Sequence, residues 1–205
     1  MLNSIDFDFR PGILGKKYSI PFFDFHFNPF AFSLTYSPNY FWLDSDSYLM
    51  KHRINPEIKW RINKDIVTRL SYSYYRNKYF ENEDRNGHSN ELFLNLYYRL
   101  GNKIGYLFGG LGYEDVTASD PDQYFDQLKA KLGVTFNLPL ELVLNATLKY
   151  DLKEYDNTNS VFGVKREDDK YNVLLSLSRK LFYDWLRIVG EYSYTKNDSN
   201  ISEYE

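Results

Sequence analysis

An alternation of apolar and polar residues, sustained for longer than in an ordinary strand, constrains this chain more than any other feature. Across 141–153 the even positions are Leu142, Leu144, Ala146, Leu148, Tyr150 and Leu152, and the odd ones include Glu141, Asn145, Thr147, Lys149, Asp151 and Lys153. Tyr171, Val173, Leu175 and Leu177 stand against Asn172, Ser176, Ser178 and Lys180 in the same way. So do Ile54, Pro56, Ile58, Trp60 and Ile62 against Arg53, Asn55, Glu57, Lys59 and Arg61. Leu92, Leu94, Leu96, Tyr98 and Leu100 face away from Glu91, Asn95 and Arg99, and Leu128, Ala130, Leu132, Val134 and Phe136 oppose Gln127, Lys129, Lys131 and Thr135. A period of two means strands, each with one apolar and one polar face. Strands are expected near 4–10, 18–27, 31–43, 48–62, 66–80, 89–100, 103–117, 122–137, 141–155, 168–181 and 185–197. Glycines make the faces of 105–112 unassignable, and no amphipathic helix pattern interrupts the series.

Alternation alone does not say where the apolar face looks. A soluble sandwich buries it, whereas a membrane barrel shows it to lipid. Segment length favours the barrel: most run about 12–15 residues against about 5–6 for strands of soluble proteins, and a tilted strand needs about 9–11 in hydrocarbon. Connections favour it too. Short turns at Asn28-Pro29-Phe30, Asn63-Lys64-Asp65, Gly101-Asn102, Leu138-Pro139-Leu140 and Phe182-Tyr183-Asp184 alternate with longer polar stretches at 81–90, 119–123 and 157–168. Outer-membrane barrels have short turns on the periplasmic side and long loops outside.

Aromatic residues add a third indication. They make up 19% of the chain, with 20 Tyr and 16 Phe. Tyr36, Tyr40 and Trp42 gather toward one strand end, as do Tyr72, Tyr74, Tyr192 and Tyr194, while Phe136, Phe182 and Trp185 lie near the short turns. Amphipathic rings at both headgroup levels form the girdles of such barrels. A mean hydropathy of −0.55 does not oppose this, because alternating strands average out. The fold class is therefore all-β: an antiparallel up-and-down transmembrane barrel in the cell outer membrane, with outer-membrane lipid as its surroundings.

Residues 1–205 form a single barrel domain that is expected to be a segment of a longer protein. Met1-Leu2-Asn3-Ser4 leads straight into Ile5-Asp6-Phe7 with neither the basic nor the apolar region of a signal peptide. About eleven strands, an odd number, also leave the last one ascending, whereas bacterial barrels close with an even count. A twelfth, descending strand is the expected completion.

The C-terminal third carries a resemblance. Arg166-Glu167-Asp168-Asp169, Tyr171-Asn172-Val173-Leu174-Leu175-Ser176-Leu177-Ser178-Arg179 and Glu191-Tyr192-Ser193-Tyr194 lead into Asn197-Asp198-Ser199-Asn200-Ile201. This is similar to the C-terminal barrels of outer-membrane proteins with periplasmic tetratricopeptide repeats, among them the surface lipoprotein assembly modifiers. In such barrels the asparagine-serine-asparagine loop precedes a final strand ending in an aromatic residue, which this sequence lacks. The resemblance implies a barrel serving export or surface assembly, with a periplasmic repeat domain and an exported substrate as partners.

The polar faces supply the expected lumen lining: Arg53, Glu57, Lys59, Arg61, Arg69, Arg99, Lys129, Lys131, Lys149, Asp151, Arg187 and Glu191. Such charges serve either to guide an anionic solute or polymer or to close the interior with cross-strand ion pairs. Ile58, Trp60, Leu94, Leu96, Leu132, Leu142, Leu144, Leu148, Leu175, Leu177 and Ile188 are the expected lipid-facing set. Three function classes stay open: a non-enzymatic part of an export or surface-assembly system, a general or anion-leaning porin-like channel, and a structural anchor that displays loops.

No catalytic residue, metal site or cofactor is assigned. His88 and Ser89 are adjacent in a strand and point apart, and His26 with Asp24 lies at the short-turn end. The acidic stretches Asp44-Ser45-Asp46, Glu81-Asn82-Glu83-Asp84 and Asp120-Pro121-Asp122 lack the spacing of a calcium loop. With no cysteine there is no thiolate site, and a net charge of −3 gives no footprint for nucleic acid.

Overall fold

Each long alternating segment folds as one strand, and each strand pairs with its neighbour in sequence. The computed structural model describes residues 4–10, 13–101, 104–181 and 186–204. Its strands are β1 (Ser4–Arg10), β2 (Ile13–Phe27), β3 (Phe30–Leu43), β4 (Asp46–Arg61), β5 (Ile66–Tyr79), β6 (Gly87–Leu100), β7 (Gly105–Ala118), β8 (Phe125–Leu138), β9 (Leu142–Thr158), β10 (Lys165–Lys180) and β11 (Arg187–Ser199). They form one 11-stranded antiparallel sheet in sequence order. Among the described residues β1 pairs only with β2, and β11 only with β10. Strand β9 reaches 17 residues, well beyond the about 9–11 that cross hydrocarbon.

Local chemistry fixes the turns. Asp44 and Ser45 both have positive φ, 48° and 77°, which gives the mirror-image turn whose twist matches the flanking strands. Leu140 and Glu141 do the same at 62° and 59°, and Leu142 N donates to Pro139 O across them. Asn63 Oδ1 accepts from the Asp65 and Ile66 amides at 2.8 and 2.9 Å, closing the β4–β5 turn. Pro56 has no N–H to give the ladder, and the β4–β5 register skips it. The side chain of Asn55 repairs the gap by donating from Nδ2 to Tyr72 O at 2.7 Å.

Two connections at the loop end are shorter than the sequence suggests, and the third, 119–124, is one residue longer. Strand β6 already starts at Gly87, β9 runs on to Thr158 and β10 starts at Lys165, leaving 80–86, 119–124 and 159–164. Polar residues expected in loops instead extend the ladder, as in Ser89↔Tyr75 and Asp168↔Lys153. The connection at 44–45 is at this same end, so turn length separates the two ends only weakly.

Burial is inverted relative to a soluble protein. Leu94 is 52% exposed, whereas its neighbour Asn95 is only 5% exposed. The buried residues include Ser73, Ser89, Thr135, Asp168 and Ser178, and the exposed ones include Leu92, Leu96, Leu111, Leu132 and Ile188. Polar side chains fill the concave face and apolar ones form the outside. Among the described residues no helix is long and apolar enough to cross a membrane; the strands are the long elements.

Candidate functional site: the polar interior

Strand register sorts the interior charges into hydrogen-bonded rungs. One rung joins Ser73, Glu91, Glu114, Gln127, Lys153 and Asp168 from β5 to β10. Two residues along each strand, toward the short turns, the next joins Glu57, Ser71, Phe93, Gly112, Lys129, Asp151 and Lys170. A third joins Lys59, Arg69, Asn95, Gly110, Lys131 and Lys149. The first is acidic on balance, the second is balanced and the third carries cations alone. Closer still to the short turns lie Arg61 and Arg99, the latter opposite Tyr106.

Pairing follows the same gradient. Lys129 Nζ donates to Glu91 Oε2 at 2.5 Å and to Glu114 Oε2, tying β6 to β8 across β7. The bridge is possible because Gly112 lies between, where a Cβ would run into the Phe93 ring. Arg69 Nε lies 3.2 Å from Glu57 Oε1, and Arg53 Nη2 donates to Ser73 Oγ at 2.9 Å. Among the described residues Lys59, Arg61, Arg99, Lys131 and Lys149 have no carboxylate within 4.0 Å. Lys131 Nζ stands 4.5 Å from the centroid of Phe93 instead, a cation–π contact.

Two cavities occupy this face. One of about 450 Å³ draws Arg53, Glu57, Asn95, Lys129, Lys131 and Asp151 from β4 to β9. The sheet must curl for five strands, β4, β5, β6, β8 and β9, to line one space. The other, about 740 Å³, opens at the short-turn end among Lys59, Arg61, Lys64, Arg69, Tyr97, Arg99 and Tyr106, with Asp65 as its one acidic lining residue.

Ten of the twelve residues expected to line a lumen border one or both of these cavities; Arg187 and Glu191 do not. Those two are exposed on β11, which lacks a described neighbour on its far side. Of the residues expected to face lipid, Ile58, Trp60, Leu94, Leu96, Leu132, Leu148, Leu175, Leu177 and Ile188 are exposed. Leu142 and Leu144 are half-buried, and Leu144 lies between Phe136 and Leu177 on the adjoining strands. Sequence reasoning put Asn95 on a polar face without singling it out, and missed Glu114 and Ser73. Glu114 could have been found, since Phe108, Gly110, Gly112 and Glu114 continue the alternation once glycine counts as an interior residue.

The outer face places aromatic hydroxyls beside polar groups. Tyr36 Oη lies 2.6 Å from His52 Nδ1, and Tyr72 Oη donates to Asn90 Oδ1 at 2.6 Å. Tyr40 packs on Trp42 with ring centroids 4.5 Å apart. Phe182 and Trp185 lie outside the described residues. His88 meets Thr117 Oγ1 at 3.1 Å on this face while Ser89 is buried on the other, and the His26–Asp24 pair is exposed at 3.6 Å. No group of three His, Cys, Asp or Glu side chains that could hold a metal gathers among the described residues. At the loop end, Ser160 donates from its amide and hydroxyl to Asp122 Oδ2 at 2.8 and 2.5 Å. These two bonds hold the Asp122 carboxyl below its usual range.

The description surface lipoprotein assembly modifier belongs to the family model that matches residues 10–205. A search of curated proteins finds no match.

Proposed function

The chain belongs to the surface lipoprotein assembly modifier family, and from that premise we propose that it is the barrel of an outer-membrane system that exports or assembles lipoproteins at the cell surface. The observation that carries this reading is the inversion of burial, polar within and apolar without, over strands long enough to span a bilayer. In water such a surface would be an aggregation liability; in lipid it is the requirement. Among the described residues β1 and β11 each have one neighbour, and a bilayer does not tolerate unpaired backbone groups, so insertion requires that both outer edges be covered. The protein works without enzymatic chemistry of its own: its interior offers charged walls, and its role is to pass and orient a chain delivered by a periplasmic repeat domain.

Expression of the chain beside a candidate lipoprotein in a Gram-negative host tests this. Protease shaving of intact cells should reveal the lipoprotein only when the chain is present and inserted. Equal surface exposure without the chain would overturn the reading.

A porin-like reading has one observation in its favour, the uncompensated cations at the short-turn end. The Lys129 bridge to Glu91 and Glu114 in the middle of the same face weighs against it, because it leaves these charges paired.

A further inference from the structure

We infer that the cation-only rung, which runs from the mouth cavity at Lys59 and Arg69 into the inner cavity at Lys131 and Lys149, is a binding site for an acidic polypeptide segment held as an extended chain. The inference rests on the export reading for its biological sense, but the site is argued from its own residues. Lys59, Arg69, Lys131 and Lys149 share one rung without a carboxylate in it, and Lys59, Lys131 and Lys149 have no carboxylate within 4.0 Å among the described residues. Uncompensated cations on a concave wall focus an attraction for anions.

A second observation narrows the ligand. Asn95 lies in the middle of this rung, is 5% exposed, and its Oδ1 has no hydrogen-bond partner. A buried acceptor left open is costly, about 1–3 kcal/mol, and is met by a donor. Its place is built: at Gly110, directly opposite, a Cβ would come within 2.8 Å of that oxygen. A ligand that carries donors as well as negative charge fits both features of the rung. A peptide rich in Asp and Glu has both, in its backbone N–H groups and carboxylates, whereas a fully ionised polyphosphate has no donor.

Spacing points the same way. Arg69, Lys131 and Lys149 border the inner cavity, whose walls also hold Glu57, Glu91 and Asp151, while Lys59, Arg61 and Arg99 border the mouth. Arg99 lies four residues along β6 from Asn95, roughly 13 Å at the usual strand rise. From β4 to β9 the rung crosses five strand spacings, roughly 24 Å along its curve. Charges spread in this manner match a chain bearing several carboxylates better than one compact anion. The mouth cavity, about 740 Å³, also offers the rings of Tyr97 and Tyr106 to side-chain methylenes.

Fluorescence anisotropy of a labelled hexaglutamate peptide, added to the full chain in non-denaturing micelles, tests this. Binding should saturate, weaken with salt, and weaken at least about fivefold in Lys131→Gln/Lys149→Gln. Asn95→Leu should weaken it as well, while Arg76→Gln on the outer face should leave it unchanged. Circular dichroism of each variant shows whether it folds; if the double variant does not, the single Lys149→Gln, at an exposed position, takes its place. No saturable binding by the parent chain overturns the inference. So does displacement by tripolyphosphate at equal potency together with indifference to Asn95→Leu, since that is capture of any anion. The two readings fail separately: peptide binding without surface display of lipoprotein sinks the export reading and leaves the site, and display unaffected by the rung variants with no peptide binding sinks the site alone.

Discussion

Lys129 holds two carboxylates of the interior at once. Its ammonium neutralises two carboxylates on strands that face each other directly, Glu91↔Glu114. All three side chains are at most one-fifth exposed, so water screens them little. Replacing Lys129 by Gln leaves two acids opposed across a ladder, and we expect a loss of about 3 kcal/mol in urea unfolding from micelles. Adding Glu91→Gln should restore much of it. A single variant as stable as the parent would show that the bridge holds nothing. The sequence showed Lys129 and Glu91 to be on interior faces but not that they meet. Alternation reports which way a side chain points, and register, which decides partners, is a property of two strands at once. For the same reason Asn95 looked like one more polar interior residue. Its burial depends on Gly110 opposite and on the Phe93 ring that glycine admits.

Element boundaries, by contrast, were legible: all eleven strands fall where the period places them, with ends displaced by a few residues. The largest displacement, β2 starting at Ile13 rather than 18, occurs where Gly15, Lys16 and Lys17 hide the pattern. Two of the loops, 81–90 and 157–168, were overestimated because polarity marks solvent and not the absence of a ladder. The apolar face of each strand makes its own prediction. Leu132 points outward from β8 and is 63% exposed, so Leu132→Lys should cost about 2–4 kcal/mol on folding into phosphatidylcholine vesicles if it sits near mid-bilayer. The folded fraction on a gel-shift assay reads it, and an unchanged fraction and midpoint would mean that this face does not meet hydrocarbon. At the other extreme of the strands, the contact of Asp122 with Ser160 ties the β7–β8 loop to the β9–β10 loop. Since the folded carboxyl titrates below its ordinary value, the tether is fully present above about pH 4 and is lost as pH falls through the depressed value. The Ser160 amide resonance should follow that titration. A midpoint at or above the ordinary carboxylate value would contradict the contact.

At the scale of the whole molecule the interior has a direction. Carboxylates gather toward the loop end and unpaired cations toward the short turns, so the protein carries a charge gradient along its strands. If the reconstituted barrel conducts, current through a planar bilayer should be rectified, with anions entering more readily from the short-turn mouth. Lys131→Gln/Lys149→Gln should flatten that asymmetry, and a symmetric, cation-selective current would oppose it. The order of strands in the sheet bears on how the chain reaches this state. Every described pairing joins sequence neighbours, so contact order is low for a β-protein and each hairpin needs only a short loop to close. Hairpins can accordingly form one after another, on the microsecond scale typical of such units in water. The slow step is then deferred to one event, the covering of the two outer edges, and mutations that delay folding should be concentrated there.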